Sequence, residues 1–123
     1  METIMIIEDD RRIREELSLL LISAGYTALA VTEFTEEPIK LLKENHPDLI
    51  LMDIQMPVMN GYDAAKAIRA SDRRDARSIP VFAMTADAFS EDIALAKAAG
   101  MNSHLAKPLD LTVVLREIKK YFE

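Results

Sequence analysis

The sequence predicts an α/β domain of (βα)5 architecture, a five-stranded parallel sheet with helices on both faces. Short apolar runs alternate with helical patterns at roughly 20 to 25 residues per unit, the spacing of strands joined by right-handed helical crossovers. The run from Leu49 to Met52 is continuously apolar rather than alternating, as a parallel strand covered on both faces is. Polar residues able to do chemistry also gather at the C-terminal ends of these runs, where open α/β sheets bind their ligands.

Ile4 to Ile7 is the first run, and it closes on Glu8, Asp9 and Asp10. Ile13, Leu17, Leu20, Leu21 and Ala24 then fall on one helical stripe, with Gly25 as the C-terminal cap. Tyr26 to Val31 reads as a second strand. A helix from about Thr35 to Asn45 follows, with Glu36 and Glu37 in its first turn, where negative charge suits the helix dipole. The central run delivers Asp53 to its own end before Pro57 stops it. After a loop from Pro57 to Gly61, Tyr62 to Ala70 reads as a short helix and Ser71 to Ser78 as a charged loop. Ile79 to Met84 is the fourth strand, and Asp87 or Ser90 caps a helix ending before Gly100. Ser103 to Ala106 is a fifth strand, cut off by Pro108. The last helix carries Leu111, Val114, Leu115, Ile118 and Phe122.

At 123 residues, 50% hydrophobic and 29% charged, the chain has the mixture of one soluble domain spanning residues 1–123. Its net charge of -6 argues against nucleic acid as a direct partner, since binding a phosphate backbone needs clustered cations. The local basic cluster of Arg73, Arg74 and Arg77 is interleaved with Asp72 and Asp75 and reads as a solvated loop. With no cysteine, disulfides, thiol catalysis and thiolate metal sites are excluded, and a reducing, cytoplasmic compartment fits. No stretch approaches the length of a membrane span, and the first residues show no signal-peptide pattern.

The alternation sends Glu8 and Asp9, Asp53, Thr85 and Lys107 to the same edge of the sheet. Carboxylates held that close raise one another's pKa unless a cation compensates, and oxygen donors completed by water suit Mg2+. With an ammonium and a hydroxyl added, the set can stabilise a phosphoryl group arriving on one carboxylate. Each residue also has a plain structural reading. Asp53 can cap a turn, Glu8 and Asp9 can form a solvated acidic turn, Thr85 can cap a helix, and Lys107 can be an exposed charge before Pro108. For Asp53 alone the two readings are evenly matched, and for each of the others alone the plain reading is the stronger, but together they require four independent coincidences at strand ends.

The segments Ile6-Ile7-Glu8-Asp9-Asp10, Leu51-Met52-Asp53-Ile54-Gln55-Met56-Pro57, Met84-Thr85-Ala86 and Lys107-Pro108 resemble the motifs of response-regulator receiver domains, and the likeness covers essentially the whole chain. The stretches Met52 to Tyr62 and Gly100 to Pro108 most resemble receivers of hybrid sensor histidine kinases. The resemblance implies the flavodoxin-like (receiver) fold with strand order 2-1-3-4-5. It implies Asp53 as phosphoacceptor from a phosphohistidine on a histidine kinase or histidine phosphotransfer domain, with no separate substrate turned over. Asp9, Asp53 and the Gln55 carbonyl would bind Mg2+, with Glu8 holding one of its waters, while Lys107 and Thr85 would meet the phosphoryl oxygens. Gln55 and Asp87 would flank the site and influence water access.

One position departs from the common pattern. His104 stands three residues before Lys107, where many receivers place Tyr or Phe as a rotameric switch. It reads equally as a surface histidine or as a switch residue. The helix segment Ala94 to Ala99 offers few large apolar anchors, which suits a face that shifts on phosphorylation. Two other functions remain open. A Mg2+-dependent aspartyl-phosphate phosphohydrolase would normally carry an acidic residue two positions after its nucleophile, where this chain has Gln55, and would also need a substrate cap. A non-phosphorylated interaction module of the same fold should lack part of the acidic, Thr and Lys set.

Overall fold

The computed structural model of the chain describes residues 2–31, 46–54, 61–70, 78–85 and 90–122. In chain order the elements are β1 (Thr3–Ile7), α1 (Arg11–Ser23), β2 (Thr27–Val31), β3 (Leu49–Asp53), α2 (Gly61–Arg69), β4 (Val81–Thr85), α3 (Ser90–Ala98), β5 (Ser103–Ala106) and α4 (Leu111–Phe122). The helix expected over residues 35–45, the loop after Pro57, most of the charged loop over 71–78, Gln55 and Asp87 lie outside the described residues.

All strand pairings are parallel, and the sheet order is β2-β1-β3-β4-β5. The chain runs outward from β1 to one edge and then crosses back to β3, so the order reverses between β1 and β3. A crevice opens at such a reversal because the connections leave in opposite directions. The register pairs Ile7 with Met52, Asp53 with Met84, and Thr85 with Ala106, which brings the strand ends level.

Strand alternation divides the core into two layers. On one face Met5, Ile7, Ile50, Met52, Val81 and Ala83 meet Ala64, Ala65 and Ile68 of α2 and Ala96 of α3. On the other, Ile4, Ile6, Leu49, Leu51, Phe82 and Met84 meet Leu17 and Leu21 of α1 and Val114 and Ile118 of α4. Both faces of the central strands are therefore apolar, which is why those runs do not alternate in polarity.

Helix ends follow from local chemistry. Asp10 caps α1, its Oδ1 accepting from the Arg12 amide at 2.9 Å and the Ile13 amide at 3.4 Å. At the other end Gly25 takes φ 94°, and the Tyr26 and Gly25 amides turn back to the carbonyls of Leu21 and Ile22. The fourth strand begins at Val81, two residues later than expected, and extends one further, to Thr85. Pro80 has no N–H to enter the ladder, although its carbonyl accepts from the Ile50 amide at 2.9 Å.

Candidate metal and phosphoryl site

The carboxylates delivered by β1 and β3 meet at the switch point. One oxygen each from Glu8, Asp9 and Asp53 lies within 4.8 Å of the others. Glu8 is 0% exposed and Asp53 4% exposed, while Asp9 faces solvent, so the cluster has a buried floor and an open rim. Thr85, at the end of the neighbouring β4, is 3% exposed. These three are the buried polar or charged side chains among the described residues, and all belong to one edge of the sheet.

Lys107 closes the pocket from the β5 side. Its amide donates to the Thr85 carbonyl at 2.8 Å, which continues the β4–β5 pairing past the strand and holds the residue level with Asp53. The ammonium donates to Glu8 Oε1 at 2.6 Å and stands 3.4 Å from Asp53 Oδ2. Burial pushes the Glu8 carboxyl up to about 8, the adjacent Asp53 adds to that rise, and Lys107 offsets part of it. For Lys107 burial works in the opposite sense, but Glu8 and Asp53 outweigh it and the net displacement is upward.

Among the described residues, nothing hydrogen-bonds the buried Glu8 Oε2. A buried carboxylate oxygen without a donor is costly, roughly 1–3 kcal/mol for an unsatisfied group and more when charged. An oxygen-only donor set with such an oxygen at its base fits a hard divalent cation that keeps part of its water shell.

Two contributors were not singled out by the sequence reading. Arg14, one turn into α1, donates through Nη1 to the carbonyls of Glu8 at 3.0 Å and Asp9 at 3.2 Å, bracing the β1–α1 turn that presents both acids. Asp10, grouped with the acidic turn in the sequence, instead faces away as the α1 cap. The capping residue has a signal in its position just before an apolar helical stripe; the arginine has none, because its partners are backbone carbonyls. His104 lies exposed on edge strand β5, paired in register with Ala83, and lines a shallow cleft with Pro108 and Val113.

An acidic pocket closed by a lysine, at the switch point of a β2-β1-β3-β4-β5 sheet, defines the receiver class. The chain belongs to the response regulator receiver domain family, which residues 4–119 match, and is a receiver domain of two-component signalling. The polar-differentiation response regulator DivK of Brucella abortus is 33% identical over 120 residues, covering 98% of this chain and 95% of its own. The CAI-1 autoinducer sensor kinase/phosphatase CqsS of Vibrio cholerae is 32% identical over 115 residues, or 94% of this chain, which spans 16% of that kinase. Among solved structures, the chemotaxis protein CheY4 of Vibrio cholerae superposes with a TM-score of 0.88 at 26% identity, covering 98% of each chain. The receiver domain of the sensor histidine kinase PA1611 from Pseudomonas aeruginosa gives 0.80 at 31% identity, covering 98% of this chain and 96% of its own, and holds a magnesium ion in its active site cleft.

Proposed function

We propose that Asp53 is a phosphoryl acceptor, taking the group from a phosphohistidine of a partner protein in a Mg2+-dependent reaction. One observation carries this reading: the acid cluster of Glu8, Asp9 and Asp53 shares a pocket with the Lys107 ammonium, 3.4 Å from Asp53 Oδ2. In the transfer an Asp53 carboxylate oxygen bonds to phosphorus as the phosphorus–nitrogen bond to histidine breaks, and the imidazole leaves. Lys107 pairs with the phosphoryl oxygens and Thr85, buried beside Asp53, donates its hydroxyl to them. Asp9 and Asp53 would hold Mg2+ together with the Gln55 carbonyl, and Glu8 would hold one of its waters; what the ion supplies when bound is charge compensation for the incoming phosphoryl group.

No separate substrate is turned over, so the domain acts as a carrier rather than as an enzyme in its own right. The named kinases among its relatives support a place in a hybrid sensor kinase, with a histidine kinase or histidine phosphotransfer domain as partner and the cytoplasm as compartment. No described helix is long and apolar enough to cross a membrane. The test is incubation with acetyl phosphate, followed by intact mass. Wild type gains a phosphoryl group with Mg2+ and none with EDTA, and Asp53→Asn gains none in either condition. Equal labelling of Asp53→Asn and wild type overturns the assignment.

A further inference from the structure

The stretch from Gly100 to Asn102, which joins α3 to β5, is held at several points. Gly100 turns the chain at φ 91°; its amide donates to the Lys97 carbonyl at 3.0 Å and the Met101 amide to the Ala96 carbonyl at 2.9 Å, so α3 closes on itself here. Met101 is then buried in the same apolar layer as Ala99. Asn102 grips the first residue of β4 twice: its amide donates to the Val81 carbonyl at 2.8 Å, and its Oδ1 accepts from the Val81 amide at 2.9 Å.

Arg69, the last residue of α2, reaches across this stretch. Its stem runs over Gly100 so closely that a Cβ there would stand 2.7 Å from Cγ. Its guanidinium donates through Nε to the Gly100 carbonyl at 2.9 Å and through Nη2 to Asn102 Oδ1 at 2.8 Å. A planar fork that serves two acceptors two residues apart fixes their relative orientation, which a single ammonium does not. The junction is therefore bolted to α2 and to the start of β4, while Thr85 ends that strand at the pocket edge of the sheet. The body of α3 is held more lightly: of its described side chains Ala96 is buried, and Ala94, Leu95, Lys97 and Ala98 are exposed. An alanine makes few contacts, so this stretch can open or tilt at low cost.

We propose that Arg69 makes the α3–β5 junction a hinge: α3 opens and tilts about Gly100 as a unit of its own, and β5 stays paired to β4 while it does so. Arg69 acts through Gly100 and Asn102, setting the boundary between two parts of the fold that without it would open together. Where the phosphoacceptor reading of Asp53 is added, on which this last step rests, the hinge lets a change at the pocket move α3 and spare the final strand.

Native-state amide exchange followed by NMR tests the hinge. In wild type the amides of residues 94–98 should exchange faster than those of Val81, Met101 and Asn102. Arg69→Met keeps an unbranched stem over Gly100 and removes both donors, whereas Arg69→Lys keeps the charge and serves one acceptor at a time; melts by circular dichroism establish which variants are folded. In Arg69→Met the Val81, Met101 and Asn102 amides should exchange about tenfold faster and converge on the rates of residues 94–98, with β1 unchanged. Arg69→Lys should fall between, and it decides the matter if the methionine variant does not fold. Junction amides that exchange as fast as α3 in wild type, or that stay protected in the folded variants, overturn the proposal. So does equal acceleration throughout the sheet, since Arg69 would then support the fold at large. Beryllofluoride, a phosphoryl mimic, separates the hinge from the reading of the pocket. In wild type it should alter exchange at residues 94–98 and leave Met101 and Asn102 protected; lost protection at those two overturns the hinge. No response at Asp9 or Asp53 overturns the phosphoacceptor reading instead, and the variants then decide the hinge.

Discussion

Glu8 is the residue on which the electrostatics of the pocket turn. The folded protein keeps a proton on it up to about 8, whereas in the unfolded chain the group titrates near its ordinary 4.5. Between those values the folded state binds more protons than the unfolded one, so stability falls as pH rises through the interval, and the contribution is fully lost above the folded value. Urea denaturation of the metal-free protein in EDTA, between roughly pH 5 and pH 9, should show this decline, and Glu8→Gln should flatten it. Metal and phosphoryl contacts separate at the neighbouring residues. Asp9→Ala should weaken Mg2+ binding, and Lys107→Ala should leave Mg2+ titration largely intact while reducing phosphorylation by acetyl phosphate; an unchanged titration for Asp9→Ala contradicts the metal assignment. Arg14→Ala removes the brace on the Glu8 and Asp9 carbonyls and should lower Mg2+ affinity by about tenfold, the lower end for residues supporting metal ligands.

At the scale of elements, stability rests on the two apolar layers and on the helix ends. Phe82 is fully buried between β4 and the α1–α4 layer, with its ring edge-on to Tyr121 at 5.3 Å. Phe82→Ala should cost about 3–5 kcal/mol, read as a lowered urea midpoint. Asp10→Ala removes the α1 cap and should cost about 1 kcal/mol. Helix α3 is held differently. Among its described side chains Ala96 is buried, as is the following Ala99, and Leu95 faces solvent. Its C-terminal turn is tied down by Arg69, whose Nε donates to the Gly100 carbonyl at 2.9 Å and whose Nη2 donates to Asn102 Oδ1 at 2.8 Å. Asn102 Oδ1 also accepts from the Val81 amide at 2.9 Å, so the tie reaches the sheet. Gly100 sits at φ 91°, and a Cβ there would approach Arg69 Cγ to 2.7 Å. Gly100→Ala is therefore both strained and crowded, and its urea midpoint should fall.

For the whole molecule, the question is how a phosphoryl group on Asp53 would reach the distant face. Thr85 and Lys107 are linked through their backbones at 2.8 Å, so the residues expected to meet the phosphoryl oxygens belong to adjacent strands that lead into α3 and α4. Among the described side chains of residues 94–99 the buried ones are the small Ala96 and Ala99, so that stretch can be re-biased by a modest gain at the pocket. Beryllofluoride, a phosphoryl mimic, should shift amide resonances in the Asp53 pocket and across residues 90–122 in wild type. In Thr85→Ala the distant shifts should shrink. Shifts confined to the pocket in wild type would remove the switch and leave the phosphoacceptor assignment standing.

Periodicity and breakers are local properties, and they sufficed for the described elements to within a residue or two. Strand Ser103–Ala106 and the apolar stripe of α1 were legible because burial repeats at the period of the backbone, and the fourth strand was displaced by two residues at its start, where Pro80 altered the ladder, and by one at its end. The gathering of Glu8, Asp9, Asp53, Thr85 and Lys107 at one edge was legible too, since every parallel strand ends on the same side. Strand order came from likeness to a family, because an apolar run does not encode its neighbours. Tertiary packing alone decided that Glu8 lies beneath the cluster while Asp9 stays open, that Lys107 bonds most closely to Glu8, and that Arg14 braces the turn between them. Those outcomes depend on distances between side chains far apart in sequence and on which of them lose water, and neither quantity is written in the order of residues along the chain.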